Sequence, residues 1–179
     1  MIAVISDSHI PKRAEDMPEK FYEVLEEADT ILHCGDVVSE EFKEKIKGYG
    51  DFYAVKGNCD MLDLQPSEKF EKQGLRFGAY HGSGITPRGH HPTLVNTAET
   101  LSVDVLFHGH SHQEEAVRRE GKVLINPGSC TGVGGGTARP GNPTMAKVFT
   151  EEGGGLRVQI IEKTDEDLEV KEEKSFQFE

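Results

Sequence analysis

The sequence predicts an α/β protein, an α+β sandwich in which two stacked mixed β-sheets are flanked by helices. Three observations predict it. Short apolar runs rich in Val, Ile, Phe and Tyr each stop at Gly or a polar residue, which is how buried strands read. In the first half these runs alternate with segments whose apolar residues recur at helical spacing, the pattern of parallel pairing through βαβ units. In the second half, paired runs flank glycine turns, so that half is expected to be mostly antiparallel.

Taken in order, Ile2 to Ile5 is the first strand, and Ile10-Pro11-Lys12-Arg13 a loop by its proline. Pro18 opens a helix with Phe21, Val24, Leu25 and Ala28 on one face. Thr30 to His33 is a strand, followed by a helix with Phe42, Ile46 and Tyr49 inward, then a strand from Phe52 to Val55. Lys69 to Glu71 and Leu75 to Tyr80 form a hairpin around Gln73-Gly74. A polar loop from Gly82 to Pro92 leads to a helix with Leu94, Ala98 and Leu101 inward, and Val103 to His108 is a strand. Glu120-Gly121 turns a hairpin between Ala116-Val117 and Val123 to Ile125. Met145 to Phe149 and Leu156 to Ile161 pair around Gly153-Gly154-Gly155. Gly132 to Pro143 is expected to be a mobile surface loop rather than a lid over a substrate. Residues 1–164 are read as one domain, and 165–179 as an acidic C-terminal tail that could be an edge strand, a disordered extension or a partner contact.

At 179 residues with 35% hydrophobic and 29% charged residues, the chain has the balance of a soluble globular protein. No apolar run approaches the ~20 residues of a membrane helix, and the start lacks the features of a signal peptide, so a cytoplasmic location and no membrane contact are expected. The formal charge of −12 argues against broad nucleic-acid binding. Residues 151 to 179 hold ten acidic and four basic residues, so the end of the chain carries half of that excess. Cys34, Cys59 and Cys130 show no C-x-x-C spacing and are expected to be reduced thiols.

Five of the apolar runs end by delivering oxygen or imidazole groups: Asp7 and His9, Asp36, Asn58, His81, and His110 and His112. In open α/β sheets the carboxyl ends of strands are where ligands bind. Asp7 with His9, and His110 with His112, are spaced two apart; in extended backbone such side chains point the same way, so each pair is expected to converge. Asp36 and Asn58 follow Gly35 and Gly57, which would allow a tight turn. Seven ligands are too many for one ion of ordinary coordination and suit two ions sharing a bridging carboxylate. The mixed nitrogen and oxygen set favours Mn, Fe, Co, Ni or Zn over Ca or Mg.

In this order, Asp-x-His, Gly-Asp, Gly-Asn, His-Gly and Gly-His-x-His resemble the calcineurin-like metallophosphoesterase superfamily over residues 2 to about 130. The chain length and Ile125-Asn126-Pro127-Gly128-Ser129 resemble its small phosphodiesterase branch of bacteria and archaea. Ser6 to Arg13 is also similar to the phosphoesterase-like subunit of the eukaryotic retromer coat, a relative used mainly as a scaffold. The resemblance implies a four-layer fold. It implies one ion held by Asp7, His9, Asp36 and His112 and a second by Asp36, Asn58, His81 and His110, with Asp36 bridging. Manganese is the first choice, with Ni, Fe, Co or Zn as alternatives. The implied reaction is in-line attack on phosphorus by a hydroxide held between the ions, with Asp36, Asn58 and His81 at the reacting centre. The substrate is expected to be a small phosphodiester, a phosphomonoester or nucleotide being the near alternative; a homo-oligomer is compatible with the sequence.

One departure matters. Many larger family members carry a His after the motif Asn as general acid, and here Cys59 stands there, followed by Asp60. Cys59 is read as pocket lining; Asp60 either supports the site or serves as the acid. Substrates with good leaving groups should then be favoured. Arg13, Lys56, Arg88 and Arg139 are candidate phosphate contacts, with ordinary surface charge as the alternative for each. Asn126 and Ser129 are candidate substrate contacts by resemblance, although such residues more often stabilise turns. His33 and His108 are expected to orient ligands rather than bind metal, and His90 and His91 to be solvent-exposed.

Overall fold

The structure, a computed structural model, describes residues 1–151 and 153–178. The first sheet has the order β11-β10-β9-β1-β2-β3. Its parallel part joins β1 (Ile2–Ile5), β2 (Thr30–His33) and β3 (Asp51–Ala54). Its antiparallel part is β9 (Thr144–Glu151), β10 (Gly155–Lys163) and β11 (Leu168–Gln177). The second sheet has the order β4-β5-β6-β8-β7, built from β4 (Ser67–Lys72), β5 (Leu75–Tyr80), β6 (Val105–Phe107), β7 (Glu115–Arg119) and β8 (Lys122–Asn126). The second half is mostly antiparallel as expected, through β4–β5, β7–β8, β9–β10 and β10–β11, with one exception. Hairpins β4–β5 and β7–β8 are antiparallel, but β6 lies between β5 and β8 and runs parallel to both. Local turns dictate hairpins; the parallel pairs are made by crossovers, which no local turn records.

Strand alternation explains the layers. On β1, Ile2 and Val4 enter one core cluster with Phe77, Val105, Phe107 and Ile125 of the second sheet, while Ala3 and Ile5 enter another beneath the helices. On β6 and β8, Leu106 and Leu124 face a third cluster. Helices α1 (Glu19–Glu26) and α2 (Glu40–Lys47) cover the outer face of the first sheet, and α3 (His91–Leu101) that of the second. Strands buried on both faces are therefore continuous apolar runs rather than alternating ones. Between the sheets the rings of Tyr53, Phe70, Phe77 and Phe107 stack in series at centroid spacings of 4.7, 5.2 and 5.8 Å.

Capping sets the helix ends. Ser39 accepts the backbone N–H of Phe42 at the start of α2, with Glu40 and Glu41 in the first turn and Lys45 and Lys47 in the last. Ser102 closes α3 in the left-handed conformation. The 10-residue strand β11 pairs along β10 and forms one edge of the first sheet, so the segment open to three readings from sequence is an edge strand over most of its length. Among the described residues no helix is long and apolar enough to cross a membrane.

Candidate metal centre

The carboxyl ends of β1, β2 and β3 and of β5 and β6 meet along one edge of the stacked sheets, and every residue of the seven-member set lies just beyond one of them. Asp7, His9, Asp36, His110 and His112 all have φ between 50° and 66°, in the left-handed region that costs a non-glycine residue energy. This corrects the expectation that the spaced pairs converge through extended backbone. The chain curls at each ligand instead, and the strain falls where side chains must face one point. The motif glycines also act differently from expectation at one position. Gly57 is needed for close approach rather than a turn, because a Cβ there would stand 2.1 Å from Asp36 Oδ1 and 2.2 Å from its backbone nitrogen. Gly109 is likewise pressed on Ser6 and Asp7, a Cβ meeting Ser6 Oγ at 2.1 Å.

The side chains form three overlapping groups, Asp7 with His9 and His112, His9 with Asp36 and Cys59, and Asp7 with Asp36 and His81. Asp36 Oδ2 is 3.5 Å from His9 Nε2 and 3.5 Å from His81 Nε2. His9 Nε2 is 3.4 Å from His112 Nε2, and Asn58 Oδ1 is 3.3 Å from His81 Nε2. The His110 ring packs edge-on against His81 at 5.1 Å. Burial alone would raise the Asp7 carboxyl, but the His112 and His81 imidazoles and the Ser6 hydroxyl outweigh it and hold Asp7 below the usual range. Asp36 is lowered in the same way, burial being overcome by His81, the Cys59 N–H and His9. Burial lowers His9 and, with His81 and Arg88 nearby, takes His110 down to about 4. Burial opposes protonation of His81 and His112 too, yet the adjacent Asp36 and Asp7 raise both.

Several sequence candidates turn away from the opening. Asp60 accepts the backbone N–H groups of Asp36 (3.0 Å), Val38 (2.7 Å) and Gly57 (2.8 Å), so its carboxylate ties two loops of the centre together. Asn126 binds Gly109 O, Ser111 Oγ and the Gly128 N–H, and Ser129 donates to the Asp7 carbonyl at 2.9 Å. Both are buried and hold ligand loops rather than reach substrate. His33 lies between the Gly35 N–H and Ser8 Oγ, as expected of an orienting residue, and burial pushes it down to about 3.

Other groups stay at the opening. Cys59 donates its N–H to Asp36 Oδ1 at 2.7 Å, and its thiol lies beside His9 and Asp36. Burial and Asp36 push that thiol up to about 11. Arg13 is exposed and close enough to depress protonation of His9 and His112; Arg88 donates to the His110 carbonyl at 2.8 Å. Lys56 and Arg139 are exposed. The Gly132 to Pro143 loop is more than surface: the Val133 carbonyl accepts from His112 Nδ1 at 2.6 Å, and a Cβ on Gly135 would strike the His112 ring at 2.3 Å. The Cys34 carbonyl does the same for His81 Nδ1 at 2.7 Å. Main-chain carbonyls carry no sequence signal, so neither contact could be read from residue types. His90 is exposed as expected, whereas His91 is half-buried against Glu115.

The residues fit bound metal. His112 Nε2 lies 3.2 Å from Asp7 Oδ1 but no hydrogen bond joins them, leaving that buried oxygen without a hydrogen-bond partner among the described residues. With Nδ1–H of His81 and of His112 each donated to a carbonyl, Nε2 is the nitrogen that each ring turns inward, the arrangement usual for metal-bound histidine.

A four-layer α/β sandwich with an Asp- and His-rich centre at the strand ends defines the class of metallophosphoesterases. The chain belongs to the calcineurin-like phosphoesterase superfamily, whose domain model matches residues 1–153. A probable metallophosphoesterase of Methanocaldococcus jannaschii is 37% identical over 131 residues, covering 73% of this chain and 68% of the relative. Zinc-complexed wild-type Vps29 of Entamoeba histolytica is 26% identical, with a TM-score of 0.87 over 98% of this chain and 99% of that one. An archaeal phosphodiesterase, 24% identical with a TM-score of 0.64 over 89% of this chain and 98% of that one, shares the fold.

Proposed function

We propose that this chain is a dinuclear metal-dependent phosphodiesterase that hydrolyses a small phosphodiester. The observation that carries the reading is the place of Asp36, whose Oδ2 stands equally close to His9 and His81 and so is shared by the groups that contain them. One ion takes Asp7, His9, Asp36 and His112; the other takes Asp36, Asn58, His81 and His110. Manganese is the first choice, then Ni, Fe, Co or Zn, because imidazole and carboxylate together suit these ions. When bound, such a pair lowers the pKa of water and neutralises charge on phosphoryl oxygens.

The chain's own residues supply the rest. Asp36 is fixed from one side by the Cys59 N–H and from behind by Asp60, so the shared carboxylate is held ready. His9 and His110, depressed by burial, stay neutral and do not cancel the charge that attracts phosphate. Arg13 and Arg88 add positive charge at the rim of a chain whose formal net charge is −12. Cys59, protonated at neutral pH, lines the pocket and is a weak proton donor, so aryl and other good leaving groups are favoured. We place the activity in the cytoplasm, on small diffusible substrates and without broad nucleic-acid binding.

The test is hydrolysis of bis-p-nitrophenyl phosphate by metal-stripped protein reloaded with Mn. Activity that returns with Mn and vanishes in Asp36→Asn is expected; an Mn-loaded protein inert across mono- and diesters would overturn the reading. Comparing p-nitrophenyl phosphate with the diester separates a phosphomonoesterase from a phosphodiesterase. A second reading, a protein-binding scaffold with a vestigial centre, is favoured by the whole-chain likeness to Vps29. It expects a stable protein partner and full cellular function when Asp36 and His110 are both replaced.

A further inference from the structure

Behind the ligand loop lies a polar chain that the metal centre does not use. Arg119 Nε donates to His91 Nδ1 at 3.2 Å, and His91 Nε2 lies 2.8 Å from Glu115 Oε2. The other oxygen of Glu115 is 3.3 Å from His108 Nε2. His108 is wholly buried, and its Nε2 has no hydrogen-bond partner among the described residues, so Glu115 is the charge that faces it. On the far side of the ring, His108 Nδ1 is 3.2 Å from Asn126 Nδ2. Asn126 Oδ1 accepts the Gly128 N–H at 2.9 Å, which fixes the amide so that its NH2 end faces His108, Gly109 O and Ser111 Oγ.

These directions assign the protons. Nδ1 of His108 must accept, so its proton sits on Nε2, towards Glu115. Nδ1 of His91 accepts from Arg119, so its proton also sits on Nε2. Neither Nε2 has a lone pair to offer, and the cluster is therefore no cation site despite its His-Glu-His composition. Its output runs the other way, through Asn126 to Gly109 and Ser111, the residues on either side of His110.

We propose that Glu115 is a positioning residue for the Gly109 to His112 loop, acting through His108 and Asn126. The Glu115 charge keeps the His108 proton on Nε2, leaving Nδ1 as the acceptor for the Asn126 amide, which the Gly128 N–H holds from its other end. That amide then holds Gly109 and Ser111, and with them the left-handed turn that aims His110 and His112. Without Glu115 the proton moves to Nδ1, the amide loses its acceptor, and the loop loses its aim. The consequence for metal rests on the reading of His110 and His112 as ligands; the consequence for the His108 tautomer does not.

The experiment uses Glu115→Ala and Glu115→Gln in the full chain. Imidazole nitrogen-15 NMR on metal-stripped protein reads the His108 tautomer, and calorimetric titration with Mn reads affinity. Wild type is expected to show the Nε2–H tautomer. Glu115→Ala is expected to shift it towards Nδ1–H and to weaken Mn binding by roughly 10–100-fold, the usual range for a group supporting a ligand. Glu115→Gln, which keeps a carbonyl oxygen towards His108, is expected to restore the tautomer and most of the affinity. An unchanged tautomer in Glu115→Ala overturns the proposal, as does wild-type affinity in that variant. If the alanine variant fails to fold, an Nδ1–H tautomer in folded Glu115→Gln overturns it equally. Failure of wild type to bind Mn, with the tautomer still shifting in Glu115→Ala, would refute the metal reading and leave the positioning of the loop standing.

Discussion

The Asp60 carboxylate accepts the backbone N–H of Asp36 at 3.0 Å, so the residue that stands between His9 and His81 is braced by the residue two places after Asn58. The same carboxylate accepts from Val38 and Gly57. Asp60→Ala leaves three N–H groups without an acceptor, those of Asp36 and Gly57 buried and that of Val38 partly so. An unmet buried donor costs about 1–3 kcal/mol. With some relaxation, the variant is expected to lose about 3 kcal/mol, read as a lower midpoint in urea. Asp60→Asn keeps one acceptor oxygen and should lose less. The alkaline limb of the pH–rate profile of Asp60→Asn should match wild type; loss of that limb with unchanged stability would make Asp60 the general acid after all.

Gly57 offers a sharper contrast with glycines that merely turn the chain. A Cβ at Gly57 would overlap Asp36 within 2.1 Å, whereas one at Gly141 meets nothing within 4 Å, and Gly141 has no positive φ. Gly57→Ala is expected to displace Asp36 and to lower Mn affinity by at least tenfold. Gly141→Ala should leave affinity unchanged and stability within about 0.5 kcal/mol, as for surface changes away from special features. Equal affinities in the two variants would remove the close-approach argument.

The candidate ligands could be picked out because metal chemistry restricts residue type: Asp, Asn and His at strand ends, in a fixed order, serve few purposes besides holding metal. The layers were legible because two-faced burial makes β1, β2 and β6 short apolar runs. What escaped is what residue type does not encode. Asn126 and Ser129 have the chemistry of substrate contacts, and only their direction, into backbone, makes them loop anchors. The left-handed turns at Asp7 and His110 were invisible because neither residue demands positive φ. The grip of Val133 on His112 uses a carbonyl every residue has. Glu115 was missed because its partners, His91 and His108, share no motif with it.

Protons and metal compete for the same nitrogens, and the direction follows from the imidazoles. The neighbouring Asp36 and Asp7 raise His81 and His112 above their ordinary value despite burial, so in metal-free protein both keep their protons to higher pH than an ordinary imidazole. Metal must displace those protons, and affinity should rise with pH through neutrality, then level once both rings are neutral. His9 and His110, already depressed, contribute little to this slope. Calorimetric titration with Mn at pH 7 in two buffers of different ionisation enthalpy should show net proton release. Proton uptake, or an affinity independent of pH between 6 and 8, would contradict these shifts.

Strand β11 hides an edge that would otherwise be hazardous. It pairs with β10 from Gly155 to Lys163 and packs Phe176 and Phe178 against the core between the sheets, while Leu168 packs beneath the helices. Its exposed side is studded with charge, including Glu169, Lys171 and Glu173, the device by which natural edge strands resist pairing with other chains. Strand β10 has no such protection, since Leu156, Val158, Ile160 and Ile161 are buried. Removing residues 165–179 therefore both uncovers apolar surface and exposes a long apolar strand with free backbone groups. The shortened chain is expected to melt at a markedly lower temperature and to form dimers or larger species at micromolar concentration in light scattering. Because β11 lies on the far side of β9 from the strands that carry the ligands, its Mn affinity, measured on whatever monomer remains, should stay within about threefold of the full chain, a change RT converts to about 0.65 kcal/mol.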